Sequence, residues 1–247
     1  MIKFISLTFD LEEFSLPIDY GKKVKNEKMF RVSYEGCEEV MKLLEGFNIR
    51  ATFFITKNFA QKFPDLIREL SKKGHEIALH AINFYNFESL VKENELLEKT
   101  SGNRVIGIRT HKLQLPLFEN LRKIGIKYDS SLHPTYVPGR YNNLVCPRKP
   151  FIVNGILEVP ISVTPLLRLP FSFVWFRNFG LNYAKICTLI TLKGQLFINL
   201  YFHTWEFVNL KSFDLPFYVT RNTGNVISKL LKKYIEWCLH KNFKFDS

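Results

Sequence analysis

Cysteine is sparse and unpaired in this chain: Cys37, Cys146, Cys187 and Cys238 are scattered over 247 residues with no CxxC among them. That spacing speaks against a zinc ribbon or a disulfide framework and fits a reducing compartment. No run reaches the roughly 18 apolar residues that a spanning helix needs. The chain arrives at Asp10 too soon for a signal peptide, so a soluble, cytoplasmic protein is expected. Helix-turn-helix, zinc-finger and RNP-like patterns are missing, and nucleic acid is not an expected partner. No repeat, low-complexity segment or linker interrupts the chain, and one domain over residues 1–247 is expected. Acidic residues are few, 23 against 35 Lys and Arg, for a formal charge of +12. Much of that excess is lysine on solvated helix faces, but it favours anionic partners such as phosphate-bearing substrates or an anionic membrane surface.

What is present is a regular alternation. Ile2, Phe4, Leu7 and Phe9 make an apolar strand that stops on Asp10, and residues 15–35 read as a loop. Helices are predicted over 38–45, 64–73, 87–99 and 115–123, each followed by a glycine and then a strand: 50–56, 76–80, 104–109 and 126–129. Strand, helix, glycine, strand is the pattern of an α/β chain with parallel strands. From 130 to 180 prolines break the chain into extended pieces, one of them 156–159. Residues 166–179 are strongly apolar and aromatic, which suits a buried flap or, with the interspersed arginines, a lipid-facing or sugar-stacking edge. A helix over 181–191, a strand over 195–203 and an amphipathic helix over 226–239 follow.

Four strands end on chemistry. Asp10, His80, Arg109 and His203 each close a predicted strand in the same sense, and in a parallel barrel those ends converge on one face. A lone histidine in an apolar strand is usually a hydrogen-bonded core residue. A carboxylate, a guanidinium and two imidazoles together suit hydrolysis: one group takes a proton from water, another gives one to a leaving group. The arginine favours the ionised carboxylate.

These residues sit in five short motifs, taken in order. They are Leu7-Thr8-Phe9-Asp10, the stretch from Gly74 to His80, Gly107-Ile108-Arg109, Tyr128-Asp129-Ser130-Ser131, and the stretch from Tyr201 to Glu206. In these motifs the chain resembles the polysaccharide deacetylases with a NodB-homology domain, akin to carbohydrate esterase family 4. The resemblance runs over nearly the whole length and implies a single distorted (β/α) barrel of about seven parallel strands. It implies that Asp10 is the catalytic base, Arg109 its partner and His203 the general acid. Asp129 and Ser130 would wall the substrate groove, with Trp205 and His111 also on the substrate side.

The family usually holds a divalent metal, often zinc, through an Asp just after the base and two His spaced H-x-x-x-H. Here Leu11 follows the base and Phe84 stands where the second His would be. Glu12 and His80 remain as ligands, one short of the three a catalytic zinc keeps. His75, five residues from His80, faces the other way on a strand. His111 and His133 lie on predicted loops near the same rim and are further candidate ligands, though nothing in the spacing requires either. Both a zinc enzyme and a metal-free one therefore stay open.

The implied function is hydrolysis of an N-acetyl or N-formyl group on an amino sugar, in a glycan or on a lipid-linked sugar at an anionic membrane. The alternatives are a metal-independent amidohydrolase of a small amide or ureide, allantoinase-like, and a non-catalytic sugar- or lipid-binding relative. Both Asp10 and His203 are retained, which argues against the last.

Overall fold

A computed structural model describes residues 2–247. The apolar opening becomes β1 (Phe4–Leu11), buried from Ile5 onward because it has neighbours on both edges. Ile5, Leu7, Phe9 and Leu11 enter the main core, and strand alternation turns Thr8 and Asp10 to the opposite side.

Strand–helix units then repeat. α1 (Leu16–Asp19) and the long α2 (Asn26–Glu45) lead to β2 (Thr52–Ile55), and α3 (Lys57–Lys62) and α4 (Pro64–Lys72) lead to β3 (Glu76–Ala81). α5 (Phe87–Ser101) precedes β4 (Gly107–Thr110), and α6 (Phe118–Lys123) precedes β5 (Tyr128–Asp129). β6 (Tyr136–Val137) and β7 (Tyr141–Asn142) form a separate hairpin, and β8 (Phe151–Val153) turns back into β9 (Ile156–Glu158). α7 (Phe173–Thr191), β10 (Phe197–His203), α8 (Phe217–Thr220), α9 (Asn225–His240) and β11 (Lys244–Phe245) follow.

The main sheet runs β10-β1-β2-β3-β4-β5-β9-β8. Every pairing from β10 to β9 is parallel, giving seven parallel strands, and β8 is antiparallel. The sheet curls into a partial barrel with its seam between β9 and β10. Among the described residues no strand ladder crosses the seam; residues 159–164 bridge it instead. Ile161 N–H donates to Leu132 O and Ser162 N–H to Asn199 O, both at 2.9 Å. The Asn199 side-chain amide donates to Ser130 Oγ, also at 2.9 Å.

Three local expectations need correction. Residues 15–35 are not a loop throughout: they hold α1 and the first half of α2. Charged Lys28, Arg31 and Glu35 interrupt the apolar pattern there, yet Met29, Phe30, Val32 and Cys37 are buried on the inner face. The hairpin and β8 were not legible among the prolines. The 166–179 run divides: Phe171 and Phe176 are buried, whereas Leu166 and Leu167 are 94% and 75% exposed. From Phe173 it is already helical, and Gly180 (φ +80°, ψ −172°) breaks α7 just before the predicted start at 181.

Two glycines fix close approaches. A Cβ on Gly36 of α2 would lie 2.0 Å from the backbone oxygen of Thr204, so α2 rests directly on the chain just past His203. A Cβ on Gly107 would lie 2.2 Å from the Tyr128 ring, which crosses β4 at that point.

Candidate active site

Strand register assembles the centre. Asp10 is paired with His203 across β1 and β10, and His80 with Arg109 across β3 and β4. Register partners in a pleated sheet leave the same face. All four lie at C-terminal strand ends, so the convergence expected from sequence is what the fold produces.

Arg109 is fully buried and every nitrogen of its guanidinium is engaged. Nη1 donates to Asp10 Oδ1 at 2.7 Å, Nη2 to Thr8 Oγ1 at 3.0 Å and Ser130 Oγ at 2.9 Å, and Nε to Ser130 O at 2.9 Å. Its underside lies 4.0 Å from the centre of the Phe54 ring. A planar fork held at so many points fixes the carboxylate it grips. One Asp10 oxygen is thereby committed, and the other lies 3.8 Å from His203 Nε2. That distance is too long for a direct hydrogen bond.

Glu12, two residues past Asp10, meets two histidines. Its Oε2 lies 3.2 Å from His80 Nε2 and 3.0 Å from His111 Nδ1, and the three ligand-capable atoms fall within 4.8 Å of one another. Burial alone would raise the Glu12 carboxyl, but the hydrogen bonds from His111 and His80 hold it well below its ordinary range. Burial would lower the His80 imidazole; the charge of Asp10 and the bond to Glu12 raise it overall. The donor set fits a divalent cation. A carboxylate with two imidazoles is a catalytic zinc set, and the two carboxylate–imidazole separations of 3.2 and 3.0 Å are near the roughly 3.3 Å between neighbouring ligands around tetrahedral zinc. The third ligand missing from the sequence reading is therefore at hand: His111, expected on the substrate side, stands beside Glu12 and His80. It lies in a short 3-10 turn after β4 that contains left-handed Lys112 (φ +60°) and Leu113 (φ +56°), a bend with no signature in residue spacing.

His203 is set by a second network that sequence reasoning missed. Its backbone N–H donates to Glu206 Oε1 at 2.9 Å, and its Nδ1 lies 3.7 Å from the same oxygen. Glu206 in turn accepts from Arg177 Nε at 2.8 Å, with both side chains fully buried. Arg177 Nη1 donates to Arg221 O at 2.6 Å and Tyr218 O at 3.2 Å, tying α7 to the α8 segment. The signals were there: a carboxylate three residues after His203, and an arginine inside a strongly apolar run. Trp205 stacks on the His203 ring at 4.6 Å between centroids, and Phe173 covers it at 4.6 Å from another side.

A cavity of about 600 Å³ opens over this centre, lined at its floor by Asp10, Glu12, His80, His111, His203 and Trp205. Asp129 and Ser130, expected as groove walls, do not line it. Asp129 is fully buried, accepts from Ser131 Oγ at 2.6 Å and faces Glu158 in the layer below Arg109. Ser130 is spent on Arg109, Asn199 and Val159. Asp129 closes the two-residue β5 and Ser130 follows it, and both side chains turn into the protein. His133 is buried against Tyr141, its Nδ1 2.8 Å from the phenol oxygen, and burial pushes its imidazole down to about 3. His75 lies at the far end of β3, where its Nδ1 accepts from Ala51 N–H. Phe84 packs in the core beside Tyr85.

The polysaccharide deacetylase family model matches residues 2–118. A peptidoglycan-N-acetylglucosamine deacetylase of Bacillus cereus is 33% identical over 61 residues, which is 25% of this chain and 21% of that protein. The matched stretches span 21–24% of the length of such curated Bacillus relatives. Among solved structures, a probable polysaccharide deacetylase from Pseudomonas aeruginosa PAO1 superposes with a TM-score of 0.65, at 15% identity over 98% of this chain and 87% of that one. The Puue allantoinase gives 0.62 at 18% identity, over 98% and 86%. These likenesses establish the fold.

Proposed function

From the match of residues 2–118 to the polysaccharide deacetylase family model and the fold shared with solved structures of such proteins, we propose that the protein removes an N-acyl group from an amino sugar. One observation carries the reading: Asp10, locked by Arg109, and His203 stand 3.8 Å apart over one cavity, so a proton acceptor and a proton donor flank the same space.

Asp10 takes a proton from water as the oxygen attacks the amide carbon. The carbon–nitrogen bond then breaks while His203 hands its Nε2 proton to the departing amine, leaving a carboxylic acid and a free amino sugar. Glu206 holds the His203 backbone, and Trp205 stacked on the imidazole limits its rotation. A divalent ion held by Glu12, His80 and His111 would supply polarisation of the amide carbonyl and a more acidic water. The cluster favours this reading over a metal-free ureide hydrolase, which has no use for three converging ligands.

The substrate is read as an amino sugar of a glycan or a lipid-linked sugar. Exposed Leu166, Leu167, Phe179, Phe217 and Tyr218, with the last three at the cavity wall, support a site facing an anionic membrane surface from the cytoplasmic side. No helix among the described residues is long and apolar enough to cross a membrane.

The test is amine release from N-acetylated sugars beside elemental analysis of the purified protein. Asp10→Asn and His203→Ala should each lower release by about 100-fold or more. Unchanged release in either variant, with the fold intact, would remove the mechanism.

A further inference from the structure

Residues 15–22 continue from the strand that carries Asp10, and Ser15, Leu16, Asp19 and Tyr20 of this segment line the cavity. The feet of this segment are fixed. Phe14 is buried with Met29, Val32 and Trp205 in a small second core, where Leu16 and Val24 also pack. Pro17 is buried, but from Ile18 to Lys23 the span is exposed and is held by polar ties to separate loops. Asp19 lies 3.4 Å from Lys112 Nζ in the turn after β4. The Tyr20 and Tyr218 hydroxyls are 2.6 Å apart, joining the span to α8. Lys22 pairs with Asp214 just ahead of α8. Arg140 of the hairpin lines the same cavity as Tyr20. Leu16, Asp19, Tyr20, Lys112, Arg140 and Tyr218 all line the cavity that has Asp10 and Glu12 at its floor.

A groove for the middle of a polymer needs two open ends. Here the arch after β1 is tied to the turn after β4 and to the segment after β10, joining them into a rim. Exposed ion pairs and a hydroxyl pair contribute little each, so the arch can yield, but with its ties formed it leaves a pocket. Resting on the amide-hydrolase reading above, we infer that the arch over residues 15–22 restricts the site to a sugar at a chain end or to a short unit, and that internal residues of a polymer are excluded until the ties to Lys112, Asp214 and Tyr218 release.

N-acetylglucosamine oligomers of one to six units are the probe. Trp175 and Trp205 line the cavity and report binding by fluorescence without any need for turnover. Affinity should level off by two units; a further tenfold rise between two and six units overturns the inference, as does absence of quenching by every length. In the products of the hexamer, fragmentation mass spectrometry should place the free amine at a terminal sugar, and release at internal sugars overturns it. Loosening the arch with Lys22→Ala and Tyr218→Phe together should raise the hexamer-to-dimer rate ratio at least tenfold with new internal products. An unmoved ratio counts against the arch as the restricting element. Loss of amine release from every substrate sinks the hydrolase reading instead, and the fluorescence series still decides the arch.

Discussion

Asp10 has one oxygen bound and one free, and Arg109 is the reason. Replacing Arg109 by Lys keeps the charge but loses the fork that also holds Thr8 and Ser130. Arg109→Lys should cost about 1–3 kcal/mol in denaturant unfolding, because buried acceptors are left without donors, and should cut amine release sharply. His111→Ala should lower zinc from about one equivalent per chain to well below it in elemental analysis. Equal zinc in the variant would mean that His111 is not a ligand. Asp129 and Glu158 carry a pH prediction. Burial, and for Glu158 the neighbouring Asp129 charge, raise both carboxyls, so the folded protein binds more protons than the unfolded chain above the ordinary carboxylate range. Stability contributed by the pair is full below that range and falls as pH climbs through the raised values. Glu158→Gln, which imitates the protonated acid, should flatten this alkaline decline in Tm; an unaltered slope would show that Glu158 does not hold the proton. Asp10, Arg109, His80 and His203 were legible because each is a polar residue closing an apolar strand. His111 was assigned to the substrate side and not beside Glu12, and Arg177 and Glu206 were given no role, since their placement depends on a left-handed turn and on contacts between remote segments.

The elements were legible where alternation was strong and illegible where charge or proline masked it. β1 to β5, β9 and β10 announced themselves as apolar runs bounded by turn residues. The first half of α2 did not, because its first turns are charged outside and apolar only on the hidden face. That helix matters to the site through Gly36. Gly36→Ala drives a methyl into the backbone of Thr204. The expected cost is about 1–3 kcal/mol or more, with activity lost by more than the unfolded fraction explains, because the displaced segment carries His203. Normal turnover in the folded variant would show that α2 does not set the position of the acid.

For the molecule as a whole, net charge was legible and its placement was not. A formal charge of +12 joined to exposed apolar side chains near the cavity predicts association with anionic vesicles at low salt. Salt near 0.5 M should abolish it, since the Debye length falls to a few ångströms. Flotation with neutral and anionic vesicles at both salt levels measures this, and equal recovery on neutral lipid would exclude the charge. The pairing of β10 with β1 has a last consequence. The proposed proton acceptor and donor lie almost a whole domain apart in sequence, and neither meets the other until β10 slots in beside the first strand. A folding intermediate that has formed β1 to β5 but not yet docked β10 is therefore expected to be chemically inert, so the last strand to join is the one that would switch the centre on.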